Sequence, residues 1–398
     1  MGYKILIVGC GAQGKAIADY LARLPEVDEI RVSDVNLNVC KNFVEWLKSD
    51  KVSAYKVDAG RVDEIASLAK DMDIVVNAVV PKFNLNILDA AFKAGTHYID
   101  LAFEYADFER ELERSDKFKE IDRTALTGAG FAPGLTNIIS ACAVDNLDEV
   151  ESIFIRDATR RPFSTWSPET LIDDWLTEPT IFKNGEFAKV SLFSGEEIFE
   201  FPAPLGPQPV WYHAHEEPHM MGRFIGKGLK NVDFKMGGPD HIFIKQLWEL
   251  GFLSDSPINV KSVEVVPRDV YLALVPKPPT LEELRDMAVR GILGKEEGSM
   301  IIRVIGKKDD VKVEHVYTIH SPTTLKLQEK WPICNSISYA VSSVSSLLVS
   351  FVCKGEIETR GVITPELLEP DVRGKLLAAL AKQDPPIRVF ERVEKFIA

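Results

Sequence analysis

Residues 3–14, Tyr-Lys-Ile-Leu-Ile-Val-Gly-Cys-Gly-Ala-Gln-Gly, decide the fold that we predict for this chain. An apolar, β-branched run leads directly into glycines spaced as GxGxxG, and a helical pattern follows from Lys15. This order of strand, tight turn and helix is what a dinucleotide pyrophosphate requires, since the helix N-terminus faces the anion. Gly9 permits the turn, Gly11 lets the backbone approach the phosphates, and Gly14 lets the helix pack on the strand.

The next predicted strand supports this interpretation. Residues 29–33 form a second β-type run, and Asp34 follows about 20 residues after Gly14, where an acid can hold both ribose hydroxyls. An acid at this position favours NAD over NADP. A glycine turn in another α/β domain, such as a methyltransferase, stays open as the alternative.

Alternating strand and helix patterns continue to residue 127 and predict an α/β fold, a Rossmann-type doubly wound parallel sheet of about six strands. The run 73–80 is nearly unbroken in its hydrophobicity, as expected for a buried parallel strand whose carboxyl end faces the cofactor. Asp58 ends the preceding strand and either meets the adenine amino group or lies in an ordinary turn. The expected cofactor-binding residues are Gly9, Gly11, Ala12, Gln13, Gly14, Asp34, Asp58, Ala59, Asn77, Val79 and Pro81.

Bulk properties narrow the class of protein. The chain has 398 residues, more than one hydrophobic core usually serves, and a formal net charge of −13, which argues against a nucleic-acid partner. We read the apolar helical run 337–352 as too short and too polar to span a membrane, so we expect no membrane partner and a cytoplasmic location. Five scattered cysteines without a CxxC motif indicate neither a disulfide framework nor a zinc site, and we expect no metal.

We expect three parts along the chain. Residues 1–133 form the dinucleotide-binding domain, and short strands with proline-rich turns predict an inserted α+β substrate domain over 134–335. Residues 336–398 return to helix, starting one helix near Gly361–Glu366, and are expected to pack back on the first domain. We also expect a homodimer, although no residue pattern determines it.

The segment Gly128–Asn137 closes the first domain with three glycines and a proline before a helix. Such a turn lets backbone amides approach a ligand and aims a helix at it, and it can equally serve as an interdomain hinge.

Several motifs resemble one enzyme family. The opening fingerprint, the strand ends at 57–59 and 77–78, the turn Gly130–Asn137 and the block Thr165–Ile172 together resemble the saccharopine dehydrogenase (reductase) and lysine 6-dehydrogenase family. Within it, Ala132 and Asn137 resemble the lysine 6-dehydrogenase branch. The resemblance implies hydride transfer between a nicotinamide and a carbon bearing nitrogen, with a small amino-acid substrate.

Such chemistry needs a neutral nitrogen, whereas an alkyl amine titrates near ~10.4, so the site requires a base. One candidate group is His97 with Asp100 and Glu104, which could hold an ammonium or form an ordinary solvated strand end. The other is the segment 213–219, whose histidines and Glu217 could be a metal site, a polar substrate wall or a surface loop. The catalytic candidates are Asp100, Glu104 and His215.

Substrate binding calls for a fork-shaped donor to a carboxylate and for hydroxyl or backbone donors nearby. Trp166 fits a packing residue as well as a stacking platform. The substrate-binding candidates are Gly130, Pro133, Asn137, Arg161, Thr165, Trp166, Ser167 and Arg223.

We therefore predict an NAD-dependent amino-acid dehydrogenase of the saccharopine/lysine 6-dehydrogenase type, which acts at the carbon bearing the side-chain nitrogen of a lysine-like substrate. The alternatives are a saccharopine-forming reductase and a catalytically silent NAD-binding regulatory protein.

Overall fold

The computed structural model describes residues 2–162 and 167–396. It divides into two compact units, the first formed by Met1–Asp145 with Ser336–Arg388 and the second by Asn146–Asn335 with Val389–Ala398. The first unit thus continues past the expected boundary at residue 133, because the helix that follows the glycine-rich turn packs against C-terminal helices of the same unit.

The first segment alternates strands and helices. Its elements are β1 (Tyr3–Val8), α1 (Ala12–Ala22), β2 (Val27–Asp34), α2 (Leu37–Leu47), β3 (Val52–Lys56), α3 (Val62–Ala69), β4 (Ile74–Asn77), α4 (Asn84–Ala94), β5 (His97–Asp100), α5 (Phe108–Leu112), α6 (Ser115–Glu120), β6 (Thr124–Leu126) and α7 (Leu135–Asp145), with a short 3₁₀ turn at Pro81–Phe83. The charged segment after β5 thus forms two short helices, α5 and α6.

The second unit mixes strands with short helices. Its elements are β7 (Glu149–Arg160), α8 (Pro168–Trp175), β8 (Thr180–Lys183), β9 (Glu186–Lys189), β10 (Glu197–Glu200), β11 (Pro207–Tyr212), α9 (Glu217–Phe224), β12 (Asn231–Gly237), α10 (Pro239–Glu249), β13 (Ile258–Val260), β14 (Val263–Val265), α11 (Pro267–Leu274), α12 (Leu281–Val289), a 3₁₀ turn at Leu293–Lys295, β15 (Glu297–Lys308), β16 (Val311–His320) and α13 (Thr324–Leu327).

The last segment holds α14 (Ser336–Cys353), β17 (Gly361–Ile363), a 3₁₀ turn at Pro365–Leu367, α15 (Pro370–Lys382) and β18 (Arg388–Lys395). The residues at 361–363 were expected to begin a helix. They form a strand instead, because they pair in parallel with β6 at the edge of the first unit's sheet.

The sheet of the first unit has, among the described residues, seven parallel strands in the order β17-β6-β5-β4-β1-β2-β3. The predicted doubly wound fold is confirmed, with one strand more than the sequence indicated. The strand order reverses between β1 and β4, and ligands of such sheets bind outside the carboxyl ends at this point. The glycine turn after β1 lies there.

The sheet of the second unit is mixed, as an α+β domain requires. Its main path is β10-β11-β12-β7-β15-β16-β18, with β8 and β9 attached beside β12. β12 runs parallel to β7, whereas β15 pairs with β7 in antiparallel register over almost its whole length. The long central strand β7 therefore lies next to β12, and β11 lies on the other side of β12.

The helix α14 qualifies, in the described part of the chain, as a membrane span by length and composition, with 18 residues and a hydropathy of 1.6. Our reading of it as too short and too polar was wrong on that measure. Within the protein 72% of this helix is buried, and it packs against α1 of the same unit. These features are typical of a core helix.

Candidate functional site

The glycine turn after β1 has the close packing that a phosphate-binding turn needs. Gly9 adopts φ +104°, and a Cβ there would lie 2.6 Å from the carbonyl oxygen of Ala78. A Cβ on Gly14 would lie 1.9 Å from the carbonyl oxygen of Gly9, so only glycine lets α1 pack so near the turn. A Cβ on Gly11 would meet nothing within 4 Å, so the space beside it is open to a ligand.

The start of α1 fits an anion. The helix begins at Ala12 with Gly11 as its N-cap, which offers no side chain to the first amides, and its first turn holds no acidic residue. Amides at a helix start have no intrahelical acceptor, and the helix dipole favours negative charge there. The side-chain oxygen of Gln13 is buried and, among the described residues, accepts no hydrogen bond. The turn therefore fits a dinucleotide pyrophosphate.

Asp34 lies beside this turn at the end of β2. Its carboxylate accepts hydrogen bonds from the amides of Cys10 and Asn36, each at 3.0 Å. The two bonds orient the carboxylate and leave lone pairs for ribose hydroxyls. The structure thus brings the predicted residues Gly9 to Gly14 and Asp34 to one place.

The other predicted cofactor residues differ in exposure. Asp58 is exposed and accepts a hydrogen bond from the amide of Gly60 at 2.9 Å, as in an ordinary turn, with Ala59 between them. Val79 and Pro81 are half-buried after β4. Asn77 is buried, and its side chain contacts neighbouring polar groups. Asp58, Val79 and Pro81 therefore remain accessible to a ligand, whereas Asn77 is buried.

Asp100 and Glu104 do not form one ammonium site. Asp100 is 1% exposed, and its carboxyl accepts a hydrogen bond from the amide of Gly128 at 2.6 Å. Burial raises its pKa well above the ordinary value, and the neighbouring Glu111 raises it further. Glu104 is exposed on the loop that follows β5. His97 is a third separate case, because its ring accepts from the amide of Thr124 and burial lowers its pKa to about 4.

The turn Gly128–Asn137 is closed by its own residues. Gly134 has φ +127°, and a Cβ on it would lie 1.9 Å from the carbonyl oxygen of Gly130. Asn137 is fully buried, accepts from the amide of Gly134 at 3.0 Å and donates to Glu366 at 2.9 Å. The structure brings Gly130, Pro133 and Asn137 together, and both ends of the Asn137 amide contact residues of the first unit.

In the second unit, His215 is the centre of an acidic cluster. Its Nδ1 lies 2.5 Å from Glu217 Oε2, and its ring stacks on Phe234 with centroids 3.9 Å apart. Burial alone would lower the pKa of His215, but the carboxylates of Glu217, Glu216 and Asp174 outweigh burial and raise it to about 9. His215 is therefore protonated at neutral pH.

Two carboxyl groups of this cluster hold protons unusually well. Burial raises the pKa of Glu216 to about 7 and that of Asp157 to about 6, although nearby positive groups oppose both shifts. In the described ranges, Nδ1 of His215 and carboxylate oxygens of Glu216 and Glu217 lie within 4.8 Å of one another, a spacing that a metal ion could use. The same atoms serve equally well as a proton-transfer group.

The remaining histidines near this cluster have separate environments. His213 is buried and its Nε2 lies 3.2 Å from Asp174 Oδ2. His219 stacks on Phe187 with centroids 5.1 Å apart, so it does not belong to the cluster. His241 is packed among the rings of Trp175, Phe193 and Trp211, and burial lowers its pKa.

Comparison with known families shows to which family the protein belongs. A family model described as "Saccharopine dehydrogenase NADP binding domain" matches residues 5–126, and one described as "Saccharopine dehydrogenase C-terminal domain" matches residues 130–384. The chain belongs to the saccharopine dehydrogenase family. The family predicted from the motifs is confirmed, and this saccharopine dehydrogenase family member is an NAD(P)-dependent oxidoreductase.

Individual relatives agree with this assignment. A carboxynorspermidine synthase of Vibrio alginolyticus is 27% identical, and the match covers 92% of each chain. A carboxyaminopropylagmatine dehydrogenase of Synechocystis is 24% identical over 92% of this chain and 93% of its own. The structure of saccharopine dehydrogenase (L-Glu forming) from Saccharomyces cerevisiae, 15% identical, matches 99% of this chain and 100% of its own with a TM-score of 0.71, which shows a shared fold.

The predicted substrate residues of this family member fall in several places. Arg161 is half-buried near Asp157, and its amide donates to Asp240 at 3.0 Å. Ser167 caps α8 by accepting from the amide of Thr170 at 3.1 Å. Arg223 is exposed on α9. Thr165 and Trp166 lie outside the described residues. Among the described members of this group, Arg161 adjoins the acidic cluster.

The sequence analysis missed Asp157, Asp174 and Glu216 as members of the acidic cluster. Asp157 carried little signal, because it is one of several charged residues in β7. Asp174 and Glu216 carried none, since the cluster forms only when α8 and the turn after β11 approach β7. Together with His215, these groups can hold a cationic substrate and exchange protons with it.

Proposed function

We propose that this protein forms, or oxidises in reverse, the secondary amine that joins an amino-acid chain to a diamine or polyamine. Two relatives that match along 92% of this chain are named for carboxylated amines of this kind. In place of the lysine-like substrate predicted from the motifs, we propose a substrate with additional amino groups.

The observation that carries the proposal is the set of four carboxyl groups that act on one half-buried imidazole. Asp157, Asp174, Glu216 and Glu217 all act on the electrostatics of His215. A lysine side chain brings one ammonium group, whereas a polyamine brings several. An excess of carboxyl groups therefore suits a polyamine better, because each ammonium group needs a negative partner when it leaves water.

The cluster can manage the protons of both half-reactions. In the condensing direction, an amine nitrogen adds to an aldehyde carbon, and the adduct loses water to give an imine when protonated His215 donates to the departing hydroxyl. Glu216, with a pKa of about 7, can take the proton that the attacking ammonium group must lose first. A nicotinamide dinucleotide held by the Gly9–Gly14 turn and Asp34 would supply the hydride that reduces the imine in its protonated form.

The test is a panel of substrates for the condensing direction, with the oxidation of free lysine as the comparison in the other direction. Oxidation of NADH or NADPH is followed with a four-carbon amino-acid semialdehyde plus diaminopropane, putrescine, agmatine or no amine, and products are weighed by mass spectrometry. We expect cofactor oxidation only when aldehyde and amine are both present. Oxidation of free lysine without condensation would instead support the lysine 6-dehydrogenase activity, and inactivity with intact dinucleotide binding would support a silent binding protein.

A further inference from the structure

A closed polar network lies buried below the carboxyl ends of β4, β5 and β6 in the first unit. Its six members, each at most 1% exposed, are Asn77, Asn84, Tyr98, Asp100, Glu111 and Thr127. They come from the ends of three strands and from α4 and α5. The network therefore connects the segments that form one edge of the sheet.

Thr127 lies between two carboxyl groups and has one hydroxyl proton for both of them. Thr127 Oγ1 lies 2.8 Å from Glu111 Oε2 and 3.0 and 3.1 Å from the two oxygens of Asp100. A hydroxyl has a single proton, so it can donate to one of these carboxyls only. The contact with the other carboxyl is a hydrogen bond only if that carboxyl carries a proton and donates it to Thr127.

The side-chain amide of Asn84 likewise has fewer hydrogens than acceptors around it. Its side-chain nitrogen lies 2.8 Å from the carbonyl oxygen of Ala102, 3.1 Å from Glu111 Oε1 and 3.4 Å from Asp100 Oδ2. An amide nitrogen has two hydrogens for these three acceptors. One acceptor too many remains, as expected if a carboxyl oxygen of the pair carries a proton.

We propose that Asp100 and Glu111 share one proton through Thr127 and that this proton keeps the turn Gly128–Gly134 in place. The connection is direct, because Asp100 Oδ1 accepts from the amide of Gly128 at 2.6 Å. Asp100 and Glu111 are then positioning residues, and the proton keeps two buried carboxyls from repelling each other. The proposal does not depend on which amine the enzyme uses.

The charged groups facing the pair do not replace that proton. Tyr98 on β5 is a neutral phenol that hydrogen-bonds with Asp100. Asp107 before α5 is acidic, and the cation Arg114 already pairs with Asp89 at 2.8 Å. Asn77 and Asn84 are neutral amides. Burial accordingly raises the pKa of Glu111 to about 7 and that of Asp100 well above its ordinary value.

These shifts define the pH range. The proton stabilises the fold fully below the unfolded-state pKa of a glutamate, 4.5, and this contribution is lost as the pH rises through about 7. When the pH rises further and Asp100, whose pKa burial also raises, loses its proton, two carboxylates face each other and the Gly128 turn should loosen.

The experiment uses the full-length protein with Glu111→Gln, Asp100→Asn and the control Glu113→Gln, which changes an exposed carboxyl two residues away. Infrared spectra in heavy water should show the carbonyl band of a protonated carboxyl in the wild type at pH 6. The difference spectrum between the wild type and each network variant should show that one such band is lost or shifted, because an amide replaces one of the two carboxyls that share the proton, whereas the contribution of Glu216 is common to all variants. The control should retain it.

Amide hydrogen exchange measures the positioning role. Exchange rates are first corrected for the intrinsic effect of pH. Between pH 6 and 9 the protection factors of the amides in Gly128–Gly134 should then fall about tenfold in the wild type and in Glu113→Gln, because a pKa difference of one unit between the closed and open turn corresponds to a factor of ten. They should stay constant in Glu111→Gln. A wild type without the protonated band at pH 6 would overturn the proposal even if the variants fail to fold, and so would equal pH dependence in wild type and Glu111→Gln. Neither readout requires substrate turnover, so failure of the proposed function leaves both interpretable.

Discussion

The carboxylate of Asp34 is oriented by two backbone amides before any cofactor arrives, and this decides what the residue can do. Hydrogen bonds from Cys10 and Asn36 hold both oxygens at the end of β2. A ribose with free hydroxyls can donate to the remaining lone pairs, whereas a 2′-phosphate would meet a fixed negative charge. The family model is described as NADP-binding, whereas Asp34 favours NAD. The preference between the two cofactors can therefore be tested at this side chain.

We predict that Asp34→Ala weakens NADH binding at least tenfold and leaves NADPH binding unchanged or stronger. Loss of hydrogen bonds to a charged group costs about 1.5–3 kcal/mol, and the repulsion of a 2′-phosphate disappears with the carboxylate. Titration of cofactor fluorescence gives both dissociation constants. Asp50→Ala, which changes an exposed acid after α2, is the control, and unaltered NADH affinity in Asp34→Ala would contradict the ribose assignment.

His215 offers a second measurement on a single residue. Its pKa is about 9 because acidic neighbours, Glu217 first among them, outweigh the effect of burial. In Glu217→Gln the largest of these attractions is lost, so the pKa of His215 should fall and less of it should be protonated at pH 8.

We therefore expect the alkaline limb of the kcat profile for condensation to move at least one pH unit lower in Glu217→Gln. Rates measured from pH 6 to 10 with saturating substrates give the limb directly. His219→Asn, which alters a histidine stacked on Phe187 outside the cluster, should keep the wild-type profile. An unmoved limb in Glu217→Gln would remove His215 from the role of acid.

At the scale of elements, two glycines between β1 and α1 have different roles, one in folding and one in ligand binding. Gly14 is needed for packing, because a Cβ there would overlap the carbonyl oxygen of Gly9 at 1.9 Å. Gly11 faces open space, so an added methyl would meet only an incoming ligand. Two glycines three residues apart thus serve different ends.

We predict that Gly14→Ala lowers the free energy of unfolding by about 3 kcal/mol, in the upper range for overpacking, whereas Gly11→Ala changes it little. Dinucleotide affinity should fall about tenfold or more in Gly11→Ala, because the methyl keeps the phosphates from the backbone. Urea denaturation and fluorescence titration on both variants provide the comparison. Normal affinity in Gly11→Ala would show that the phosphates lie elsewhere.

Elements with a strong local pattern were predicted well, and those formed by partners far along the chain were not. The strands β1 and β4 follow from their buried apolar runs. The residues of β17 were read as a helix start, because their strand structure comes from pairing with β6. Pro365, which we took as a helix start, begins a 3₁₀ turn.

At the scale of the whole molecule, the two compact units divide the chemistry. The first unit is built from two separate segments and contains the dinucleotide turn, Asp34 and the proton-sharing network. The second contains the acidic cluster around His215. We place the binding of dinucleotide in the first unit and propose amine recognition in the second.

The sequence by itself determined the doubly wound dinucleotide fold, the family and the NAD(P) class, because glycine spacing, buried strands and a strand-end acid are local patterns with few physical alternatives. Only the tertiary structure decided the partners of buried charges. The sequence made Asp100 a catalytic candidate, whereas the structure shows it enclosed by Gly128, Thr127 and Glu111. The sequence analysis did not select Asp157, whose neighbour His215 is known only from the structure. The pKa of a carboxyl depends on burial and neighbouring charge, and neighbours distant along the chain are supplied by the fold alone.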